Sequence, residues 1–416
     1  MSSRDPDLDA GPHPRVMDPS GVEVAREALG LLRGWRGEFI DFVRELVVAE
    51  SPSTDPGSQA AVRECLASAL TSVGLGVEHV SGARTGGHLV ARSGPRDGPA
   101  GQLLLGHMDT VWQVGTLSRM PFEVGRDTLR GPGVFDMKTG LAMALFALRS
   151  LRELEIGLEI PPTFLITSDE EIGSPESEAL INECAGRAER TFLFEPALGP
   201  EGRIKTRRKG VAQFTVEVHG KSAHGGLAPE EGASAVRELA GVIERLYGLA
   251  DPERGLTINV GIIEGGVRPN VVAPYARAVV DVRGWTLEDL AHVESRVRGI
   301  AARVPGTRVE ISGVIGRAPL EPTPRNTALW ESARHIGAGI GLSLEQGAAG
   351  GGSDGNFTSR LTATLDGLGA VGDGAHAEHE FVFTDRSLER AALIAGLLAL
   401  PAGPPATMTP SGGSEA

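Results

Sequence analysis

The first half of the chain alternates short apolar runs with longer stretches of helical spacing. The runs around Leu104, Leu165 and Leu193 are apolar at successive positions, which is typical of strands buried on both faces of a sheet. Helical spacing of apolar side chains appears in three stretches, residues 22–48, 60–73 and 141–151. Because strand and helix patterns alternate along the chain, we predict an α/β fold with helices on both faces of its sheet.

A different pattern begins near Lys209 and Gly210. Strand, helix, strand, strand, helix and strand patterns follow in turn, at residues 211–218, 233–247, 256–263, 276–282, 287–304 and 308–314. This β-α-β-β-α-β order predicts a ferredoxin-like α+β unit. Pro319, Pro322 and Pro324 then mark the return of the chain to the first domain.

The candidate catalytic segments described below lie on both sides of this α+β unit, so we predict that it is an insertion. The catalytic domain would consist of residues 21–208 and 318–400, and the inserted domain of residues 209–317. Both ends of the chain, residues 1–20 and 401–416, are rich in Pro, Gly and Ser and are predicted to be disordered.

Composition narrows the class of protein. The chain has 416 residues, and 41% of them are apolar, enough for sizeable cores. A net charge of -14 with no offsetting basic run argues against nucleic acid as a partner. No apolar stretch is long enough for a membrane span, and the first residues lack the layout of a signal peptide. With only Cys65 and Cys184, expected to be free buried thiols, we predict a cytoplasmic protein without excluding one disulfide.

Candidate chemistry starts at the end of the first buried run, where Leu105-Gly106 leads into His107-Met108-Asp109. The ends of such strands face the crevice where open α/β sheets bind ligands. His107 is a candidate metal ligand whose second ring nitrogen Asp109 can orient. A satisfied polar pair at a strand end is the alternative for this motif by itself.

Five further acidic or imidazole groups follow other segments of the chain. Asp136 leaves a Gly/Pro turn and precedes a helix, where a helix cap is the alternative role. Glu170 and Glu171 end the second buried run as adjacent carboxylates, which repel each other unless a cation or proton separates their roles. Glu195 and His376 end two later segments. An ordered set of imidazoles and carboxylates from separate strands predicts a metal site.

These motifs resemble the di-zinc metallopeptidase family of acetylornithine deacetylase, succinyl-diaminopimelate desuccinylase and the aminoacylases, and most closely its glutamate carboxypeptidases. The family signatures occur here in family order as His-x-Asp, Gly-x-Gly-x-x-Asp-x-Lys, Asp-Glu-Glu-x-Gly, Glu-Pro and His-x-x-x-Glu-aromatic-Val. The resemblance covers roughly residues 22–400 and implies a zinc-exopeptidase-like catalytic domain with a mixed sheet, plus a dimerisation or lid domain.

The resemblance implies a role for each member of the set. Asp136 would bridge two Zn²⁺ ions, with Co²⁺ or Mn²⁺ also compatible with the ligands. One ion would be completed by His107 and Glu195, and the other by Glu171 and His376. Glu170 would be the general base and Asp109 would orient His107. The spacing to Glu380 selects His376 rather than His379 as the last ligand.

Family matching also suggests substrate-binding residues. His224, in a Gly-Lys-x-x-His motif, would reach across a homodimer interface into the neighbouring site, although its spacing alone is equally compatible with a surface histidine. Asn270 and Arg317 match positions near the substrate's terminal carboxylate, and Gly352 lies in a Gly-rich run along the pocket wall. Arg283 also matches, but a structural ion pair is nearly as plausible for it.

Two departures from the family pattern bear on the substrate. Thr139 stands where many relatives have Gly, and the segment after Glu195 contains a series of basic residues, Arg203, Lys205, Arg207 and Arg208. These bases either reach an acidic substrate side chain or solvate the domain linker. We therefore expect a metal-dependent enzyme that releases a C-terminal amino acid such as glutamate from a small or short-peptide substrate with a free carboxylate. An N-acyl amino acid deacylase is the alternative, and a non-catalytic metal-binding module is a distant one.

Overall fold

The computed structural model describes residues 20–94 and 101–403. Apart from Ser20 and residues 401–403, the ends predicted to be disordered lie outside the described residues. Within the part of the chain that is described, no helix combines the length and apolar character needed to cross a membrane. Cys65 and Cys184 are not joined by a disulfide.

The helices and strands of the described residues are numbered here in chain order. The helices are α1 (Gly21–Gly34), α2 (Arg36–Val48), α3 (Gln59–Ser72), α4 (Thr139–Glu153), α5 (Glu178–Gly186), α6 (Ala235–Tyr247), α7 (Leu287–Arg298), α8 (Pro324–Gly339), α9 (Gly355–Thr358) and α10 (Thr384–Leu398). The strands are β1 (Gly76–Val80), β2 (His88–Arg92), β3 (Gly101–His107), β4 (Glu123–Val124), β5 (Thr128–Arg130), β6 (Pro162–Thr167), β7 (Ala188–Leu193), β8 (Ile204–Arg208), β9 (Gly210–His219), β10 (Thr257–Gly265), β11 (Tyr275–Gly284), β12 (Arg308–Arg317), β13 (Gln346–Ala349), β14 (Ala363–Leu365), β15 (Gly372–Asp373) and β16 (Phe381–Phe383).

The largest sheet has the strand order β1-β2-β6-β3-β7-β14. Strands β6, β3, β7 and β14 are parallel neighbours, whereas β2 runs antiparallel to both β1 and β6. The predicted mixed sheet flanked by helices is therefore confirmed.

Alternate residues of β3 enter two different cores. Leu104 packs in the larger core with side chains from α1, α2, α4 and α10, while Leu103 and Leu105 pack in a smaller core with side chains from α5. Since both faces of this strand are covered by helices, it has no polar alternation. The same burial explains why the apolar runs could be recognised in the sequence.

The predicted helix at residues 22–48 is two helices, α1 and α2, which meet at Trp35. The Trp35 ring lies edge-on to Phe146, and the Arg149 guanidinium lies over the indole at 4.2 Å. These contacts come from α4 and so leave no mark on the local spacing. The start of α1 is a capping box, in which Ser20 and Glu23 each accept a backbone N–H of the other.

The second domain is a four-stranded antiparallel sheet with the order β10-β11-β9-β12, with α6 and α7 packed on one face. This is the expected β-α-β-β-α-β arrangement. The predicted helix at 287–304 ends earlier, at Arg298, because Gly299 forms its C-cap. Where the chain enters and leaves this domain, Arg208 and Leu320 exchange two backbone hydrogen bonds of 3.0 and 3.1 Å.

A small sheet with the order β15-β16-β5-β4 joins distant parts of the catalytic domain. Strand β16 pairs with β5, just before the loop that carries Asp136, and β15 pairs with β16 around the turn that carries His376. The sheet thus brings the last candidate ligand against the second one.

Candidate metal centre

Three of the five candidate ligands lie at one edge of the main sheet. His107 ends β3, Glu171 follows β6, and Glu195 follows β7. Because these strands are adjacent and parallel, their carboxyl ends meet at the same edge. The small sheet then places Asp136 and His376 beside them.

The Asp136 carboxylate lies between the two imidazoles. Its Oδ1 is 3.3 Å from Nε2 of His107, and its Oδ2 is 3.6 Å from Nε2 of His376. Glu195 approaches the same nitrogen of His107 at 3.6 Å, and Glu171 approaches His376 at 3.0 Å. The five side chains therefore lie in two groups that share Asp136.

Two observations indicate that this cluster fits metal ions. Oδ1 of Asp136 and Oε1 of Glu171 are buried without a hydrogen-bond partner, a costly arrangement unless a cation binds there. His107, Asp136 and Glu171 also present ligand atoms within 4.8 Å of one another, as do His107, Glu170 and Glu195. A donor set of imidazole nitrogens and carboxylate oxygens suits Zn²⁺ and similar divalent ions.

Neighbouring carboxylates raise the pKa of both histidines. The hydrogen bond to Glu171 raises the pKa of His376 to about 9, with burial opposing the rise. Burial alone would lower the pKa of His107, but Asp109 and Asp136 raise it well above its usual range. His376 is half exposed and has a φ of 61°, a conformation that non-glycine residues adopt mainly at constrained sites.

Asp109 holds two parts of the site together. Its backbone carbonyl lies 3.0 Å from Nδ1 of His107, closer than its carboxylate, which is 3.5 Å away. The carboxylate instead accepts the backbone N–H groups of Glu170 and Glu171, at 3.3 and 3.2 Å, and the hydroxyl of Ser53 at 2.6 Å. Asp109 thus orients the histidine largely through its main chain and fixes the adjacent glutamates through its side chain.

Glu170, the predicted base, is bound to Arg317. Nη1 of Arg317 donates to Oε1 of Glu170 at 3.0 Å, and Nη2 donates to the hydroxyl of Ser174 at 2.9 Å. Nη2 is also 3.5 Å from Asp354. Burial and the neighbouring Glu195 carboxylate raise the pKa of Glu170 well above its usual range, and the Arg317 charge limits the rise. A carboxyl group with a raised pKa suits proton transfer near neutral pH.

Glu380 supports the loop that carries Asp136. This buried carboxylate accepts the backbone N–H groups of Gly133, Phe135 and Asp136 at 2.9, 2.7 and 3.0 Å, and the indole N–H of Trp112 at 2.9 Å. Burial raises its pKa to about 7, although these hydrogen bonds oppose the rise. The glutamate at the end of the His-x-x-x-Glu motif therefore positions the shared ligand.

The basic segment after Glu195 divides in a way that neither sequence alternative anticipated. Lys205 and Arg208 turn inward, with side-chain nitrogens 3.9 and 3.0 Å from Oε2 of Glu195. Arg207 lies over the Trp285 ring at 4.9 Å, and Nε of the partly buried Arg203 lies 3.9 Å from the Glu201 carboxylate. Their inward or outward direction depends on strand packing and left no signal in the composition of the segment.

The other predicted substrate residues lie on or near the inserted domain. His224 is exposed, and its Nδ1 accepts backbone N–H groups within its own loop, beside the segment of Asn270. Among the described residues, no hydrogen bond joins His224 to the metal-centre side chains. Arg283 pairs with Asp281 at 2.9 Å, in line with the structural alternative. A Cβ at Gly352 would lie 3.4 Å from Cδ of Arg317, so this glycine borders the site.

Comparison with known proteins gives one family match. The model of "Peptidase family M20/M25/M40" matches residues 103–400. Carboxypeptidase G2 from Pseudomonas sp. is 30% identical over 346 residues, which cover 82% of this chain and 83% of that protein. An acetylornithine deacetylase from Salmonella arizonae is 30% identical over 298 residues, covering 64% of this chain and 74% of the relative.

Solved structures share the fold at low sequence identity. Aminopeptidase PepT from Bacillus cereus has a TM-score of 0.70 at 23% identity, and the match covers 87% of this chain and 96% of that one. The YXEP protein of Bacillus subtilis, described as a dinuclear metal binding peptidase, has a TM-score of 0.63 at 15% identity, covering 88% and 98%. These likenesses extend over both domains of the present chain.

Proposed function

Because this chain belongs to peptidase family M20/M25/M40, whose members include metal-dependent peptidases and amidohydrolases, we propose that it releases a C-terminal amino acid by hydrolysing an amide bond. Glutamate is the first candidate for the released residue. The resemblance of the motifs to glutamate carboxypeptidases supports this choice. The similarity to carboxypeptidase G2 over 82% of this chain supports a carboxypeptidase activity.

One observation carries the carboxypeptidase proposal. The Arg317 guanidinium lies 3.0 Å from Glu170, whose carboxylate is grouped with His107 and Glu195. A guanidinium offers paired N–H donors that match a carboxylate, so Arg317 can hold the terminal carboxylate of a substrate beside the reacting amide. Its side chain is only 14% exposed, which strengthens such a contact.

In the proposed mechanism, two divalent ions held by the five ligands would supply a water of lowered pKa and polarise the amide carbonyl, with Zn²⁺ favoured and Co²⁺ or Mn²⁺ compatible. Glu170 accepts the proton of the attacking water and passes it to the leaving amine nitrogen. Asp109 holds the backbone of Glu170 in place during this transfer. A bound substrate carboxylate competes for Arg317 and so loosens its hold on Glu170.

We also propose that the active form is a homodimer. The inserted domain exposes His224 beside the Asn270 segment. An isologous pairing of inserted domains brings this histidine to the substrate carbonyl of the partner's site. Asn270 is then placed to contact the same substrate. We further propose a cytoplasmic location, on the sequence's low cysteine content.

An N-acyl amino acid deacylase is the second candidate. The similarity to acetylornithine deacetylases favours it, and the chemistry at the amide bond is the same. The two candidates differ in which side of the amide is recognised. A carboxypeptidase selects the released amino acid through Arg317, whereas a deacylase selects a small acyl group.

A substrate panel on metal-loaded protein tests the proposal. Release of free amine is measured for N-acyl and peptidyl glutamates, for acetylated amino acids, and for the same compounds with the terminal carboxylate blocked as an amide. We expect turnover of acyl glutamates with large acyl groups and loss of turnover when the carboxylate is blocked. Preference for acetyl groups irrespective of the amino acid would identify a deacylase, and no turnover of any member would contradict both.

A further inference from the structure

Arg208 is a fully enclosed arginine next to the metal centre. It ends β8, and its side chain is 4% exposed. Nε and Nη2 donate to the two carboxylate oxygens of Asp366, at 2.6 and 3.2 Å. Nη1 lies 3.2 Å from the carbonyl oxygens of both Gly351 and Gly352. The guanidinium is thus fixed in plane by groups that do not belong to the metal cluster.

The remaining contact of this guanidinium is to a candidate metal ligand. Nη2 donates to Oε2 of Glu195 at 3.0 Å, while Oε1 of the same carboxylate faces His107 at 3.6 Å. Lys205 approaches Oε2 as well, at 3.9 Å. Because the side chains of Arg208 and Lys205 engage Oε2, Glu195 has one oxygen, Oε1, left for a metal ion.

Asp366 is held as firmly as Arg208. Its side chain is fully buried, and Oδ2 also accepts the hydroxyl of Ser353 at 2.7 Å. Its backbone carbonyl accepts the N–H of Lys205 at 2.9 Å. A bidentate pair between an arginine and a carboxylate has a defined geometry, so the position of Asp366 determines that of Arg208.

We infer that Arg208 and Asp366 are positioning residues for the candidate metal ligand Glu195. They hold its carboxylate so that it binds the ion as a monodentate ligand. The inference rests on the proposed metal centre. Without Arg208 the Glu195 carboxylate is free to rotate, and both of its oxygens compete for the ion. Through the carbonyls of Gly351 and Gly352, the same guanidinium also ties the ligand to the Gly-rich run beside Arg317.

Metal binding to purified protein tests this inference directly. Arg208→Lys keeps the charge but removes the planar fork. We expect it to lower the affinity for one of two Zn²⁺ ions by about 10- to 100-fold, the effect usual for partners of metal ligands. The affinity for the other ion should stay unchanged. Affinity is measured by competition with a chromogenic chelator, and bound metal is counted after dialysis.

Two further variants identify the affected site. Glu195→Gln should lower the affinity for the same ion. Adding Arg208→Lys to it should lower that affinity little further, since the two changes act on one contact. Arg190→Lys is a matched control: Arg190 is also buried, but it holds Gln102 and the carbonyls of Leu400 and Pro401. This control should leave both affinities unchanged.

The outcomes separate the metal centre itself from the clamp, the name used here for the hold of Arg208 and Asp366 on Glu195. Fewer than two ions in the wild-type protein would overturn the metal centre and the clamp with it. If wild type and Arg208→Lys bind two ions with the same affinities, the clamp alone is overturned. The same holds if Arg208→Lys lowers the affinity for both ions equally. If Arg208→Lys does not fold, Ser353→Ala removes one support of Asp366 with a smaller packing change, and it should weaken the same ion to a lesser degree.

Discussion

Arg317 donates a hydrogen bond of 3.0 Å to Glu170, although the two residues belong to different domains of the fold. The residue expected to hold the substrate carboxylate is therefore bound to the residue expected to accept the proton from water. A substrate carboxylate that occupies the guanidinium changes the surroundings of the base at the moment of binding. In the proposed mechanism, substrate binding and the activation of Glu170 as the base are thus linked through the side chain of Arg317.

Replacing Arg317 should affect substrates according to their carboxylate. For Arg317→Ala we expect an increase in KM of about ten- to a hundredfold for substrates with a free terminal carboxylate, the range expected for losing charged hydrogen bonds. The turnover of carboxylate-blocked substrates, already low in the wild type, should fall little further. Steady-state kinetics with both substrate forms checks this. Arg277→Ala is the control, since Arg277 lies on the sheet of the inserted domain and pairs with Glu264, and an equal effect there would contradict the special role of Arg317.

Glu170→Gln should separate metal binding from catalysis. The amide keeps the size of the side chain and can still accept from Arg317, but it cannot take a proton from water. We expect kcat to fall by about a hundredfold or more, with two bound ions retained. Metal analysis and turnover are measured on the same sample. Near-normal turnover at full metal content would end the proposed mechanism.

The two late histidines should differ in metal binding. His376 lies 3.0 Å from Glu171 and 3.6 Å from Asp136, so His376→Ala should deplete one ion. His379 is exposed, and His379→Ala should leave the metal content unchanged. Metal counting after dialysis distinguishes the variants. The reverse result would shift the register of the last ligand by three residues.

Subunit mixing tests the role of His224. Glu170→Gln and His224→Ala subunits should each be inactive as homodimers. If His224 acts across the interface, their heterodimer contains one intact composite site, and mixing should restore activity in proportion to the heterodimer fraction. Subunit exchange is followed by mass spectrometry of intact dimers. A mixture that exchanges but stays inactive would place His224 within its own subunit or outside the reaction.

Glu238 should make the inserted domain sensitive to acid. This buried carboxylate accepts the N–H groups of Arg303 and Val304 and the Arg245 guanidinium, and these contacts lower its pKa against the effect of burial. Its stabilisation is therefore full above the unfolded pKa and is lost as pH falls through the lower folded pKa. Glu238→Gln should cost about 1–3 kcal/mol at neutral pH and progressively less in acid.

Urea unfolding at several pH values measures the Glu238 effect. The matched control is Glu331→Gln, an exposed helix residue that pairs with Arg334. That variant should change the free energy of unfolding little, as exposed pairs do. A pH-independent loss for Glu238→Gln would show that packing, rather than charge, explains its contribution.

Local patterns predicted the elements that carry the site. Strand β3 was recognisable because both of its faces are covered, and β9 and β11 because only one face is buried. The order of motifs then indicated the five candidate ligands, and the structure brings their side chains together around Asp136. Helix ends were less predictable, since the break at Trp35 depends on contacts from α4.

Contacts between residues far apart in the sequence were not predictable. Arg208 and Asp366 are separated by 158 positions, and each is unremarkable in its own segment. Arg317 was recognised as a carboxylate binder by family matching, but its bond to Glu170 is made across 147 positions. The first pair forms only when the two parts of the catalytic domain meet, and the second only when the inserted domain lies against the main sheet. No local spacing encodes either contact.

The hydrogen bonds of Glu380 set a limit on the order of assembly during synthesis. The loop carrying Asp136 is held by a residue that follows it by 244 positions, and His376 lies in the same late segment. A growing chain that has completed the inserted domain already contains four of the five ligands, yet it lacks both the fifth ligand and the anchor of the shared one. Tight binding of the two proposed metal ions is thus postponed until nearly the whole polypeptide has left the ribosome. An incomplete chain cannot form the complete proposed hydrolytic centre.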